Sequence, residues 1–190
     1  MIHPEDVTLV LLAAGRSQRF TDGDKLLQPY LGRPIGLHVV VALEGVPFRE
    51  RIAVVSNTSL DLAACGYRIV MNEDPGAGMA RSLRLGVTAA CEAGAPAVLV
   101  ALADMPKVTA THIYRLFERA EGRDAVVASS DGTMPRPPAL FGCDRYAELL
   151  ASEGDEGARK LIRAGHHVVA PPAELIDIDT ADDFARLTHG

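Results

Sequence analysis

The chain has 190 residues, 48% of them hydrophobic and 23% charged, with no Trp, 4 Tyr and 5 Phe, which fits one domain over residues 1–190 with a real core and excludes a disordered chain. The formal charge is −6, from 19 bases against 25 acids; residues 121–190 hold 13 acids and 7 bases, while residues 1–120 carry 12 of each. A net-acidic chain argues against a nucleic-acid partner, and no uncharged run approaches the roughly 18 residues that would cross a membrane.

The first apolar run, at residues 7–14, follows a short head that carries Glu5 and Asp6 and no Lys or Arg. A secretion signal needs a basic head, so the run reads as a buried first strand. Strand-length apolar runs recur at 8–13, 51–55, 67–71, 97–102, 125–128 and 167–170, and stretches of helical period lie between or after them at 34–43, 77–93, 110–121, 145–151, 156–164 and 180–187. This alternation predicts an α/β fold: a single-domain, doubly wound, Rossmann-like and mostly parallel sheet.

Asp144 is a candidate cap for the helix from 145, Thr109 or Thr111 for the helix from 110, and Asp179 or Thr180 for the last helix. The stretch 129–138, with Asp131, Gly132 and Pro135, Pro137 and Pro138, reads as a long stiff loop. Cys65, Cys91 and Cys143 are odd in number and lack C-x-x-C spacing. They argue against a disulfide framework or a zinc knuckle, fit a reducing cytoplasm as the location, and read as small buried hydrophobes. His166 and His167 read as flanking a strand.

The chemistry concentrates at strand ends. After the first strand comes Leu12-Ala13-Ala14-Gly15-Arg16-Ser17-Gln18-Arg19, then Asp24-Lys25-Leu26-Leu27. Small residues at the carboxyl edge of a doubly wound sheet let backbone N–H groups approach an anion, with Arg16, Arg19 and Lys25 converging on it. The loop matches neither the phosphate-loop nor the dinucleotide pattern. Lys25 is one of only three lysines against sixteen arginines, and lysine is a compact charge suited to a phosphate under attack. Asp104, directly after the run 97–102, sits at the same edge and can hold Mg²⁺ against phosphate oxygens. Asp177 and Asp179 alternate along what reads as a short strand; one could complete the Mg²⁺ shell, and the residues alone do not separate them.

With Asn72, Gly78-Met79, Ser82-Leu83, Asp104-Met105-Pro106, Pro138-Ala139-Leu140-Phe141-Gly142, Gly154 to Arg159 and Asp177-Ile178-Asp179-Thr180 following in order, the chain resembles the MobA-like nucleotidyltransferases from about residue 8 to 187, and among them the molybdenum cofactor cytidylyltransferases. The resemblance implies a sheet of the nucleotide-diphospho-sugar transferase type. It also implies transfer of CMP from CTP to the terminal phosphate of a molybdopterin acceptor, with release of pyrophosphate. Lys25 and Arg19 would be catalytic. Leu12, Ala13, Ala14, Gly15, Arg16, Ser17, Asn72, Gly78 and Ser82 would bind nucleotide, and Asp104 with Asp177 or Asp179 would bind Mg²⁺. Arg136, Pro138, Asp155 and Arg159 would line the acceptor side.

The base rests on Ala14, since relatives that use GTP commonly read L-A-G-G there and the extra methyl narrows the room for a purine. A molybdoenzyme or its delivery chaperone would receive the product. The alternatives are a GTP-dependent guanylyltransferase of the same cofactor, a transferase for another small phosphorylated acceptor, and a non-catalytic nucleotide-binding module.

Overall fold

The computed structural model of the chain describes residues 1–15, 24–151 and 158–189. From the N terminus, β1 (Val7–Ala13) precedes a small hairpin of β2 (Pro29–Tyr30) and β3 (Arg33–Pro34). There follow α1 (Gly36–Ala42), β4 (Glu50–Val55), β5 (Arg68–Met71), α2 (Met79–Glu92), β6 (Ala97–Leu102), α3 (Ala110–Arg119), β7 (Val126–Ser130), β8 (Pro135–Gly142), α4 (Tyr146–Leu150), α5 (Arg159–Ala164), β9 (His166–Val169) and α6 (Ala181–His189). The large sheet has the order β5-β4-β1-β6-β8-β7-β9. β5, β4, β1 and β6 pair in parallel, as do β7 and β9, and β8 alone runs against both of its neighbours. The fold is α/β with a mostly parallel sheet.

Every residue of β1 is buried, which is why it reads as a continuous apolar run: a central strand covered on both faces has no solvent side to mark with polar residues. Its side chains alternate between two cores. Val7, Leu9, Leu11 and Ala13 pack on the side that also buries Val39, Ile113 and Leu116 of α1 and α3, and Val10, Leu12 and Ala14 on the side that buries Leu83, Val87 and Leu149 of α2 and α4. α2 buries Ala80, Leu83, Gly86, Val87 and Ala90, a helical stripe against the sheet. At Gly86 the helix backbone lies so close that an added Cβ would stand 2.3 Å from Val10 Cγ1 and 3.1 Å from Val54 Cγ2.

Three sequence readings need correction here. The stretch 129–138 is mainly strand: Ser129 and Ser130 end β7 and Pro135–Pro138 open β8, leaving a turn at 131–134. Prolines are tolerated because β8 pairs with β6 only from Ala139 to Gly142, and because its register with β7 jumps from Ala139 opposite Ala128 to Arg136 opposite Ser129. Pro137 and Pro138, joined by a cis peptide bond, fall in that bulge, where no ladder N–H is required. Asp144 does not cap α4, whose first residues carry no side-chain cap; its carboxylate lies 3.2 Å from Arg123 Nε instead. The cysteines are not core residues: Cys65 and Cys91 are exposed and Cys143 is partly so, Cys65 in the turn before β5 and Cys91 on the last turn of α2.

Other local readings hold. Thr109 accepts from His112 N at the start of α3. At α6, Thr180 Oγ1 accepts from Asp183 N while Asp183 Oδ2 accepts from Thr180 N at 2.8 Å, a reciprocal cap. His166 and His167 lie in β9. Among the described residues no helix is long and apolar enough to cross a membrane.

A third, small core of Tyr30, Ile35, Ile178 and Leu187 ties the segment before α6 to the hairpin. Lys25 and Asp179 therefore meet although more than 150 residues separate them.

Candidate functional site

β1 and β6 end side by side, with Ala103 N donating to Leu12 O at 3.0 Å. The chain turns directly after β6, Met105 N donating to Leu102 O, and Asp104 projects from that turn. Lys25 comes from a short 3₁₀ turn, Lys25–Leu27, in which Asp24 Oδ1 accepts from Leu26 N at 2.9 Å. Opposite both, Ile178 N donates to Asp104 O at 3.0 Å and anchors the segment that carries Asp177 and Asp179. That segment is extended but pairs with no strand, so the expected short strand is absent.

Lys25 is only 7% exposed. Its Nζ lies 2.6 Å from Asp104 Oδ2, 2.9 Å from Ile178 O and 3.4 Å from Asp179 Oδ1. Burial works against its charge, but Asp104 and then Asp179 outweigh that and hold the ammonium pKa above its ordinary 10.5. Burial pushes the Asp104 carboxyl above its ordinary 3.8; Lys25 pulls it back, and Asp177 and Asp179 add to the rise. Asp104 Oδ1 is buried and has no hydrogen-bond partner among the described residues.

The two late acids go separate ways. Asp179 faces Lys25, while Asp177 Oδ1 lies 3.8 Å from Arg136 Nη1. They part because Ile178 is fully buried between them and holds the backbone to Asp104. Among the described residues no three His, Cys, Asp or Glu side chains gather in a metal-holding group; the nearest arrangement is the pair Asp104 and Asp179 around Lys25.

Beside this cluster opens a cavity of ≈ 480 Å³. Its floor is apolar, with Leu12, Leu83, Val100 and Phe141; Met79 and Met134 flank it, and Arg136, Arg159, Arg163 and Asp177 supply charge. Arg136 Nη2 pairs with Asp131 Oδ2 at 2.9 Å, and its Nε is buried without a partner among the described residues.

Of the expected nucleotide residues, Leu12 lines the cavity, Ala13 and Ala14 are buried in the cores on opposite faces of the sheet, and Gly15 lies beside Lys25, where an added Cβ would be 4.0 Å from Lys25 Cε. Asn72 and Ser82 are buried and joined to each other, Asn72 Nδ2 donating to Ser82 Oγ at 2.9 Å while its Oδ1 accepts from Arg81 Nε; they brace the approach to α2. Gly78 stands at the head of that helix with φ 83°, a conformation glycine adopts without strain. Of the acceptor residues, Arg136 and Arg159 line the cavity, and Pro138 lies behind its wall with its carbonyl accepting from Ser129 Oγ. Arg16, Ser17, Arg19 and Asp155 lie outside the described residues. Sequence reading missed Arg163, which its spacing four residues after Arg159 on a helix could have revealed, and the Ile178 carbonyl, which no side chain marks.

The sheet gathers its charged groups at the carboxyl edge, where doubly wound folds bind ligands, and the family match makes the chain a nucleotidyltransferase. More narrowly, the chain belongs to the family of the MobA-like NTP transferase domain, whose family model matches residues 9–169. It is 32% identical to nicotine blue oxidoreductase of Paenarthrobacter nicotinovorans, over 95% of this chain and 96% of that one. It is 31% identical to molybdenum cofactor guanylyltransferase of Methylibium petroleiphilum, over 98% of each. Its fold is similar to that of Rv0371c from Mycobacterium tuberculosis H37Rv in complex with manganese, with a TM-score of 0.75 and 27% identity over 97% of this chain and 98% of that one.

Proposed function

We propose that this nucleotidyltransferase moves CMP from CTP to the terminal phosphate of a molybdopterin-type acceptor and releases pyrophosphate. The observation that carries this reading is the junction of a buried Lys25, the carboxylates of Asp104 and Asp179 and an arginine-bearing cavity at one sheet edge. Lys25 would neutralise charge on the phosphate under attack, and Arg136 and Arg159 would hold the anionic end of the acceptor. Such an acceptor is already ionised near neutral pH, so positioning and charge do most of what is required. The loop residues Gly15, Arg16, Ser17 and Arg19 are proposed for the triphosphate, and Asn72, Gly78 and Ser82 as the frame of the nucleoside side.

The donor set suits a hard divalent cation such as Mg²⁺. It consists of oxygen alone, and Asp104 keeps one buried oxygen without a partner. Asp104 and Asp179 would hold the ion, with Asp177 drawn instead toward Arg136. Bound there, the ion would offset the charge of the phosphates. The manganese in the related mycobacterial protein and the cofactor named for the guanylyltransferase relative support the metal and the acceptor. The choice of CTP over GTP rests on the methyl of Ala14, a buried residue directly after β1.

Purified chain supplied with Mg²⁺, molybdopterin and either CTP or GTP tests the proposal through pyrophosphate release. Release with CTP is the expected result, and strict use of GTP would overturn the base assignment. Release with neither nucleotide would overturn the transfer reading.

A further inference from the structure

The proposed reaction asks two things of one place: Lys25 is to reach a phosphate, and Asp104 with Asp179 is to hold a metal. An ammonium has three N–H donors, and here Asp104 Oδ2, Ile178 O and Asp179 Oδ1 stand around Nζ at 2.6, 2.9 and 3.4 Å. Lys25 must give up part of this set to touch a phosphate. A divalent ion shared by Asp104 Oδ2 and Asp179 Oδ1 would compete with Nζ for the same oxygens.

We infer that Lys25 and the divalent metal are alternative occupants of the Asp104–Asp179 position. The nucleotide-free chain neutralises its own carboxylates with Lys25, and the metal enters when an anionic phosphate draws the ammonium away. Asp104 and the Ile178 carbonyl are held by the fold, whereas the Asp179 side chain is half-exposed. Ile178 is fully buried, its N–H holds Asp104 O, and its carbonyl oxygen suits either cation. Gly15 stands beside the lysine stem, where an added Cβ would make no more than an ordinary contact, 4.0 Å from Lys25 Cε. Metal and nucleotide then bind with mutual dependence, and metal alone binds weakly. The inference rests on the transfer reading only for the identity of the phosphate that displaces Lys25.

Mn²⁺ titrated into the nucleotide-free full chain, with free aquo-Mn²⁺ followed by electron paramagnetic resonance, tests it. Lys25→Met is expected to bind one Mn²⁺ about tenfold or more tighter than the wild type, as the loss of an adjacent positive charge requires, and Asp104→Asn in that background is expected to remove the site. Equal or weaker binding by Lys25→Met overturns the inference. Lys25→Gln serves if the Met variant does not fold. In the wild type alone, tight binding of one Mn²⁺ that Asp104→Asn abolishes overturns it as well. Pyrophosphate release by the wild type, measured separately, keeps the two ideas apart: turnover without the affinity difference removes only this inference, and the affinity difference without turnover removes only the transfer reading.

Discussion

With its ammonium shared between Asp104 and Asp179, Lys25 offsets two carboxylates of which burial pushes the first toward protonation. Lys25→Met is expected to cut pyrophosphate release by about a hundredfold, on the order of 2.7 kcal/mol of lost charge stabilisation, while leaving a cooperative melting transition. The same change carries a pH signature. A carboxyl whose folded pKa lies above its unfolded value costs nothing while both states are protonated, and destabilises the fold as pH rises from the unfolded pKa through the folded one. Without Lys25 the Asp104 pKa rises further, so the melting temperatures of variant and wild type should lie close together below the ordinary 3.8 and separate as pH increases. A constant gap across that range would mean that Asp104 is not the group concerned.

His112 gives the opposite slope. Burial holds its pKa below the ordinary 6.5, against the pull of Glu174 and with the help of Arg115. Ser129 Oγ spends its one proton on Pro138 O, so His112 Nε2 donates to Ser129, and Nδ1 is left buried without a partner among the described residues. Protonation would add an unsatisfied N–H. The stability that the neutral ring contributes is present above 6.5 and is lost as pH falls through that value toward the folded pKa. His112→Gln, which can still donate to Ser129, should flatten the decline in melting temperature between about pH 7 and 5; an unchanged slope would assign the decline to other groups.

At the scale of elements, α2 sits on the sheet through Gly86. Alanine there would gain about 1 kcal/mol of helix propensity, but its Cβ would meet the stiff, fully buried Val10 at 2.3 Å, and overpacking of this kind costs about 1 to 3 kcal/mol. Gly86→Ala is therefore expected to lower stability by about 1 kcal/mol in urea unfolding, and a stabilised protein would show that α2 can lift away from the sheet. The strands β1, β4 and β6 were legible because burial on both faces writes itself as an unbroken apolar run. β8 was not, since its opening residues Pro135, Pro137 and Pro138 carry the composition of a turn, and only the offset between the β6 and β7 pairings explains how a strand tolerates them. The same limit applied at the site. Lys25 and Asp104 stood out by type and position, whereas the division of labour between Asp177 and Asp179 depends on the docking of Ile178 into a core shared with Tyr30, Ile35 and Leu187. Alternation along the chain carries no trace of that contact.

For the whole molecule, the small core around Ile178 links the segment before α6 to the hairpin near the N terminus, so the two ends of the chain should melt together. Far-ultraviolet circular dichroism and tyrosine fluorescence, usable because the chain has four Tyr and no Trp, are expected to report one coincident transition; two separated transitions would contradict a single domain. A bound nucleotide at about a hundredfold its Kd should stabilise that transition by about 2.7 kcal/mol. The net charge of −6 does not oppose this, because Arg136, Arg159 and Arg163 lie together at the cavity.

The reversed strand β8 has a consequence for how such a molecule can diversify. Its Pro135–Pro137 end forms cavity wall yet makes no ladder bond to β6, while Ala139–Gly142 secures it to the parallel half of the sheet. Changes in that wall can alter the shape of the cavity, the proposed acceptor side, without disturbing the β1–β6 seam that carries Asp104. One scaffold can thus keep its phosphate chemistry constant while its choice of recipient drifts.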